Sequence, residues 1–529
     1  MNADPSSESV DTSGRDRFTR NVLASWAGYG VFVVAGFVLP RFIDRHVGQT
    51  ALGVWDFAWS LVSYFSLAQV GIGSSVNTYV ARYRAEGDIV GLRCAVSSVS
   101  CLQLLAAGLV LLLTIVATGT VPALMSRSLG GHLTDARWVV ALLGAGLAVQ
   151  MAFDAFNGVI TGCHRWDLHN GLNAGGYAIT VVIMVTAIAL GGGLRSLAMA
   201  NFCGMAATEL VRAILAHRVC PVLRVRWEYA RWSQARPMLA FGGKTLIQTL
   251  SRLLLYQANN LVVVSYLGAG ALALYARPNS LIRHAQTFVN KFAFILTPTA
   301  SSLRARGDDD GLRRLALDAA RFSAFLALPM VLILAILGDP ILRLWMGPRY
   351  AQGLVLAILA IGHLAALTQQ ALLNVLTGVN AHGRPALVNL IASVCGLGLV
   401  LWLVGLRSAG LPGAAAAIAL PLTLANGIYV PIYSCRQLRM PLSRYIRQAW
   451  LEPLACVAPF GLCLIAARLA GQERPWQALA WLAGGALLLG FVYWQRVLPA
   501  RLKQELLARV YPSTAKRVIA PAAQPGDVH

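Results

Sequence analysis

The chain has 529 residues, 57% of them hydrophobic and only 12% charged, with a mean hydropathy of +0.62. A soluble globular protein carries roughly 25% charged residues, so this composition excludes a water-soluble enzyme of this size, and it excludes intrinsic disorder as well. The net charge of +22 would point to nucleic acid in a soluble domain; in a membrane protein it is the positive-inside bias, and no nucleic-acid partner is expected.

Unbroken apolar runs such as CLQLLAAGLVLLLTIVAT (101–118) favour helices over the period-two strands of a barrel. The expected fold class is an all-α polytopic membrane protein. The polar start, residues 1–20, reads as a disordered cytoplasmic tail and not as a signal peptide. Runs long enough to cross about 30 Å of hydrocarbon fall at 22–40, 54–77, 95–118, 138–160, 171–191 and 196–215, which make a first lobe over 21–215. A basic linker with two tryptophans, 216–237, reads as an interfacial segment on anionic headgroups. A second lobe over 238–433 holds runs at 238–266, 272–299, 321–338, 353–377, 386–406 and 413–433. Two further runs, 452–470 and 476–494, lie in 434–495, and a basic cytoplasmic tail follows over 496–529.

That is a 14-span reading. With loops assigned alternately, 29 Lys and Arg fall on the side of the termini and 10 on the other. Both termini are therefore expected in the cytoplasm. Cys101, Cys203, Cys395, Cys456 and Cys463 lie in apolar runs and no CxxC occurs, so neither a disulfide framework nor a metal site is expected. The loops are too short for an external catalytic domain, and no catalytic residue is assigned.

The chain repeats itself. RAEGDIVGLR (84–93) and RARGDDDGLR (304–313) match at seven of ten positions, at an offset of 220. Gly48, Ala51, Leu52, Ser60 and Leu61 meet Gly268, Ala271, Leu272, Ser280 and Leu281 at the same offset, and Val159, Thr161, Gly162 and Asn173 meet Val375, Thr377, Gly378 and Asn389 at 216. Spans 1–6 and 7–12 are then two copies of one unit. An even number of spans gives both copies the same orientation, related by a pseudo-two-fold axis along the membrane normal, with cargo between the halves. The repeated motif reads as a helix-breaking turn, with coupling between the halves as the sharper alternative.

Charges inside spans are costly and mark cavities or partners. Span 7 spaces Lys244, Gln248, Arg252, Tyr256 and Asn259/Asn260 along one helical face, and span 8 spaces Arg277, His284 and Lys291 seven apart with Arg283 alongside. Snorkelling toward a helix end suits Lys244 and Arg277. Arg252, Arg283 and Lys291 suit a cavity for an anion, because a guanidinium fork fits phosphate oxygens. The candidates for coupling or gating are Asp56, Asp154 and Glu209, and Asp56 lies one position from the repeat-equivalent of Arg277, so an ion pair across the axis is open to it. A lone histidine such as His363 reads as packed.

These features resemble the multidrug/oligosaccharidyl-lipid/polysaccharide (MOP) superfamily, and within it the Wzx-type O-antigen and polysaccharide flippases. The resemblance is carried by VGQTALGVWDFAWSLVSYFSLAQVGIGSSV (47–76), by ARYRAEGD (81–88) and by their repetition in the second half. It implies two six-helix lobes in a V, with helices 1, 2, 7 and 8 around a central cavity. It also implies an undecaprenyl-diphosphate-linked oligosaccharide moved from the cytoplasmic to the periplasmic leaflet, for O-antigen, capsule or exopolysaccharide. The partners expected are that lipid, the bilayer and other polysaccharide-assembly proteins. No cofactor is expected, with proton or sodium coupling left open. The Arg-Asp pair that peptidoglycan-lipid flippases carry within helix 1 is not transferred, since Arg41 and Asp44 follow Pro40 at the outer end. The competing readings are a cation-coupled multidrug exporter of the same superfamily and, in another class, a membrane glycosyl polymerase or ligase.

Overall fold

Hydrocarbon offers no partner for a free N–H or C=O, so long apolar segments satisfy their backbones as helices. In the computed structural model, which describes residues 18–69, 76–293, 296–470, 475–497 and Lys503, the predicted spans are helical over their described residues, and the described residues contain no strand. The first lobe comprises α1 (Phe18–His46), α2 (Gln49–Phe65), α3 (Val76–Glu86), α4 (Ile89–Leu124), α5 (Leu133–Gly162), α6 (Trp166–Ala189) and α7 (Leu194–Val219). The second comprises α8 (Trp232–Leu253), α9 (Asn259–Leu267), α10 (Ala269–Ala293), α11 (Leu296–Ala305), α12 (Asp309–Ile336), α13 (Gly338–Met346), α14 (Gly353–Gly378), α15 (Gly383–Val400), α16 (Gly410–Leu424) and α17 (Val430–Gln437). α18 (Leu442–Ile446), α19 (Glu452–Ala470) and α20 (Pro475–Arg496) complete the chain order.

Ten of these helical segments are long and apolar enough to cross a membrane, and the chain is a multi-pass membrane protein. The predicted spans outside those ten are the second, seventh, eighth and fourteenth. Span 2 is divided: α2 ends at Phe65 in a 3₁₀ turn, Ser66–Gln69, and α3 resumes at Val76. Span 7 is interrupted by a π-helical turn, Leu254–Ala258, and span 8 passes from α10 to α11. Residues 1–17 of the N-terminal tail, and the C-terminal tail beyond 497 apart from Lys503, lie outside the described residues.

The internal repeat appears in the packing. In the first lobe α4 packs on α5, α5 on α7, α6 on α7, α1 on α6 and α3 on α5; in the second α12 packs on α14, α14 on α16, α15 on α16, α8 on α15 and α11 on α14. The halves meet through α2 and α10, repeat-equivalents of one another. This contact is close enough that a methyl group on Gly53 would overlap the backbone carbonyl of Ala269.

The repeated motif forms the same turn twice. Gly87 and Gly307 adopt φ of 72° and 71°, a region open to glycine. Asp88 Oδ1 then accepts from the Gly91 N–H at 2.8 Å, and Asp308 Oδ1 from Gly311 N–H at 2.7 Å, capping α4 and α12. Arg93 Nε donates to the Val222 carbonyl at 2.9 Å, and Arg313 Nε to that of Leu438 at 3.1 Å. Each motif thus ties two elements of its own half, which realises the turn reading and gives no bond between the halves.

Two segments differ from a plain loop. The linker is pinned to the start of α4: Arg226 N–H and Arg231 N–H donate to the hydroxyls of Ser97 and Ser98 at 3.3 and 2.8 Å, while Trp227 and Trp232 are exposed. After α12 the chain forms α13, which crosses to the first lobe. Trp345 Nε1 donates to Phe37 O at 2.7 Å, Tyr350 Oη to Asp44 Oδ1 at 2.6 Å, and Arg41 Nη1 to Leu344 O at 2.9 Å. Arg41 and Asp44 therefore fasten the two halves together. At the same end of the bundle the Ala269 N–H donates to Ser128 O at 2.9 Å.

Candidate functional site

A cavity of about 580 Å³ lies between the halves, lined by α1, α2, α6 and α10 with Asn201 of α7. From α10 come Arg277, Ser280, Arg283, His284, Thr287 and Lys291. This is the face read from the sequence of span 8. Pro278 lies within that helix, yet the spacing of three and four persists across it.

The four basic groups are not equivalent. Arg277 is buried, and its Nη2 donates to both carboxylate oxygens of Asp56, at 2.6 and 2.5 Å. The ion pair open to Asp56 across the axis is thus formed, and it occupies both partners. Arg283 lines the cavity, and its guanidinium makes no hydrogen bond or ion pair with any described residue, while its carbonyl accepts from the Thr287 hydroxyl at 2.9 Å. His284 stacks on Phe37 at 5.5 Å between centroids, and its carbonyl accepts from the Tyr29 hydroxyl. The Lys291 ammonium lies 5.2 Å from the Tyr29 ring centroid and 5.9 Å from that of Trp26, within cation–π range.

Span 7 departs from the expectation. Arg252 is exposed and lies outside the cavity lining, while Tyr256, Asn259 and Asn260 are buried. The stripe breaks because the π-helical turn at Leu254–Ala258 holds an extra residue per turn and rotates the C-terminal part of the span. Past the turn, Asn260 Nδ2 donates to Ser60 Oγ of α2 at 3.0 Å and Asn259 Nδ2 to Tyr275 Oη of α10 at 2.7 Å, so these amides are joints between helices. Lys244 and Gln248 lie on α8, and their side chains are outside the described residues. His363 is packed: its Nδ1 lies 2.7 Å from Leu359 O and so carries the proton, leaving Nε2 to accept from Tyr256 Oη at 3.2 Å.

The remaining acids lie outside the cavity lining. Glu209 pairs with Arg212 at 3.4 Å. Asp154 accepts from three amides, Gln69 at 2.7 Å and Gln103 and Asn157 at 3.3 Å, and makes no ion pair with any described residue. Among the described residues no group of three or more His, Cys, Asp or Glu could hold a metal ion.

The sequence reading missed the opposite wall. Asn170, Asn173 and Tyr177 of α6 and Asn201 of α7 line the cavity. The first three stand at i, i+3 and i+7 in NGLNAGGY, one helical face. That spacing was legible, but neutral amides cost far less in a span than charges do and attract less notice.

Two packed repeats of helices with a cavity between them define the class: a multi-pass helical membrane protein built of two like halves. Comparison with known proteins supports that class. The lipid II flippase MurJ in its inward closed conformation superposes with a TM-score of 0.68 over 94% of this chain and 99% of that one, at 12% identity. An inward-facing multidrug resistance MATE family transporter of the MOP superfamily gives 0.63 over 78% and 95%, at 15% identity. These likenesses show the fold. The family model described as "Polysaccharide biosynthesis protein" matches residues 170–354. EpsK of Bacillus subtilis (strain 168), an uncharacterised membrane protein, is 22% identical over 423 residues, covering 79% of this chain and 83% of the relative.

Proposed function

We propose that the protein moves undecaprenyl-diphosphate-linked oligosaccharide units from the cytoplasmic to the periplasmic leaflet of a bacterial inner membrane by alternating access, for surface polysaccharide assembly. One observation carries this reading. Arg283, His284 and Lys291 face the cavity, and Asp56, the acid among its described lining residues, is taken up by Arg277. Such a wall favours an anion, and a diphosphate offers oxygens to both a guanidinium fork and an ammonium. The cavity volume falls within the roughly 300–1,000 Å³ usual for small-ligand sites, enough for a diphosphate and the sugars next to it while the polyprenyl tail stays in lipid. The matched polysaccharide family supports the same cargo. The multidrug reading draws on the MATE-like fold alone. A cationic drug would need acids facing the cavity, and here the Asp56 carboxylate is already held by Arg277.

Coupling to a proton or sodium ion falls to Asp154 in this reading, because Asp56 and Glu209 each already hold an arginine. The deciding experiment is reconstitution with a fluorescent diphosphate-polyprenyl glycan and a leaflet-accessibility assay. Probe transfer that depends on the protein supports the proposal; transfer equal to that of protein-free vesicles refutes it. Asp154→Asn should bind the probe normally while its transfer ceases to respond to an ion gradient, measured by imposing pH and sodium gradients separately.

A further inference from the structure

The two halves derive from one repeated unit, so positions where their cavity walls differ record what the cavity must distinguish. In the repeat register Arg283 and His284 correspond to Ser63 and Tyr64. In the other direction Asn170, Tyr177 and Asn201 correspond to Ala386, Ser393 and Ala417. One wall has become cationic, and the other has gained two amides and an aromatic ring beside Asn173, an amide that the second half keeps as Asn389.

The chemistry of the second wall is specific. Asn173 Oδ1 accepts from Arg212 Nη2 at 2.7 Å, and a guanidinium can only donate, so this bond fixes the orientation of the amide. Its Nδ2 lies 3.1 Å from His169 Nε2, which leaves one N–H. Arg212 is itself buried and paired with Glu209 at 3.4 Å, so the Asn173 amide is held from behind by a fixed ion pair. Asn170, one turn away, hydrogen-bonds no described residue and offers both a donor and an acceptor. Tyr177 stacks on Phe32 with centroids 4.6 Å apart and planes 23° apart, an aromatic platform one turn further on.

A fixed amide with one N–H to donate, a neighbouring amide that can donate and accept, and an aromatic platform, without an unpaired charge, suit neither a phosphate nor an acyl chain. They suit the vicinal hydroxyls and C–H face of a neutral pyranose. We propose that α6 and α7 form the glycan subsite, taking the sugar nearest the diphosphate, while α10 holds the diphosphate itself. This rests on the cargo reading above and assigns sugar selectivity to the first half of the chain and lipid-phosphate affinity to the second.

The test compares full-length protein in nanodiscs with undecaprenyl diphosphate, bare or carrying glucose, galactose or N-acetylglucosamine. At least one sugar-bearing lipid should bind more tightly than the bare one. Asn170→Ala should reduce that preference about three- to tenfold, the range for neutral hydrogen bonds, and Asn173→Ala should do likewise. Arg283→Ala should weaken all four lipids by a common factor. Arg212→Lys, which keeps the charge but loses the fork that orients Asn173, should lower the preference and leave affinity for the bare lipid intact. Equal binding of all four lipids to the unaltered protein overturns the glycan subsite, as does an equal loss for all four in Asn170→Ala. If the unaltered protein binds none, bare lipid included, the cargo reading fails first and takes the subsite with it.

Discussion

At the scale of single residues, the basic groups separate into one that holds the structure and those that face cargo. The buried Arg277 pairs with the part-buried Asp56 and joins α10 to α2. Removing one partner of such a pair leaves a buried charge uncompensated and costs about 3–5 kcal/mol. Arg277→Ala and Asp56→Ala should therefore each lower the yield of folded protein, measured by detergent-extracted abundance and thermal unfolding. Replacing both with leucine should recover much of the loss. Arg283 should behave in the opposite way. A charge-assisted hydrogen bond contributes roughly 1.5–3 kcal/mol, so Arg283→Ala should weaken cargo binding about ten- to a hundredfold at unchanged abundance, and Arg283→Lys should restore part of it, since a point charge replaces a fork. Arg252→Ala, outside the cavity, should leave binding unaltered. Surface glycan in a deletion host, read beside protein abundance, checks all three. The α10 residues were legible because that helix keeps one period from Arg277 to Lys291. The separation of Arg252 from the buried Tyr256, Asn259 and Asn260 was not legible, because no pattern in LLYQA announces a π-helical turn. The asparagine wall was passed over because an amide in a span violates no energetic expectation strongly enough to stand out.

At the scale of elements, the helices followed from long apolar runs, and breaks within spans followed less well. The turn RAxGDxxGLR was legible as Gly and Asp chemistry, and its two copies agree in φ to within one degree. Loss of an aspartate cap costs typically about 1 kcal/mol. Asp88→Ala and Asp308→Ala should each lower thermal stability by that order and reduce transport only in proportion to folded protein; a transport loss at full abundance would revive the coupling role. α13 escaped the sequence reading because nine residues are too few for a span and were absorbed into a loop. The anchors there, Trp345 of α13 and Tyr350 in the 3₁₀ turn after it, reach α1 over more than 300 positions of sequence, a distance that no local pattern encodes.

At the scale of the whole molecule, the repeat was the most informative feature of the sequence, since it predicted two like units before any helix was located. The 29-to-10 asymmetry of Lys and Arg predicts residue 130 outside and residue 495 inside. A periplasm-active reporter should work after 130 and be silent after 495, and activity at 495 would refute the alternation. The contact between α2 and α10 has a further consequence. At Gly53 the two halves approach so closely that one added methyl group has no room against Ala269. Gly53→Ala would act as a wedge at the end sealed by α13, and it would penalise the arrangement in which that end is shut while sparing each half. A penalty in one state alone shifts the ratio of the two states by about tenfold for every 1.4 kcal/mol. The variant should be folded and abundant, yet stalled: cysteines placed at Ser128 and at Ser265, whose carbonyl accepts from the Ser128 hydroxyl at 3.0 Å, should crosslink poorly, and probe should no longer leave the cytoplasmic leaflet. One hydrogen atom in place of a methyl group would then be what lets the outer door close, and with it the cycle turn over.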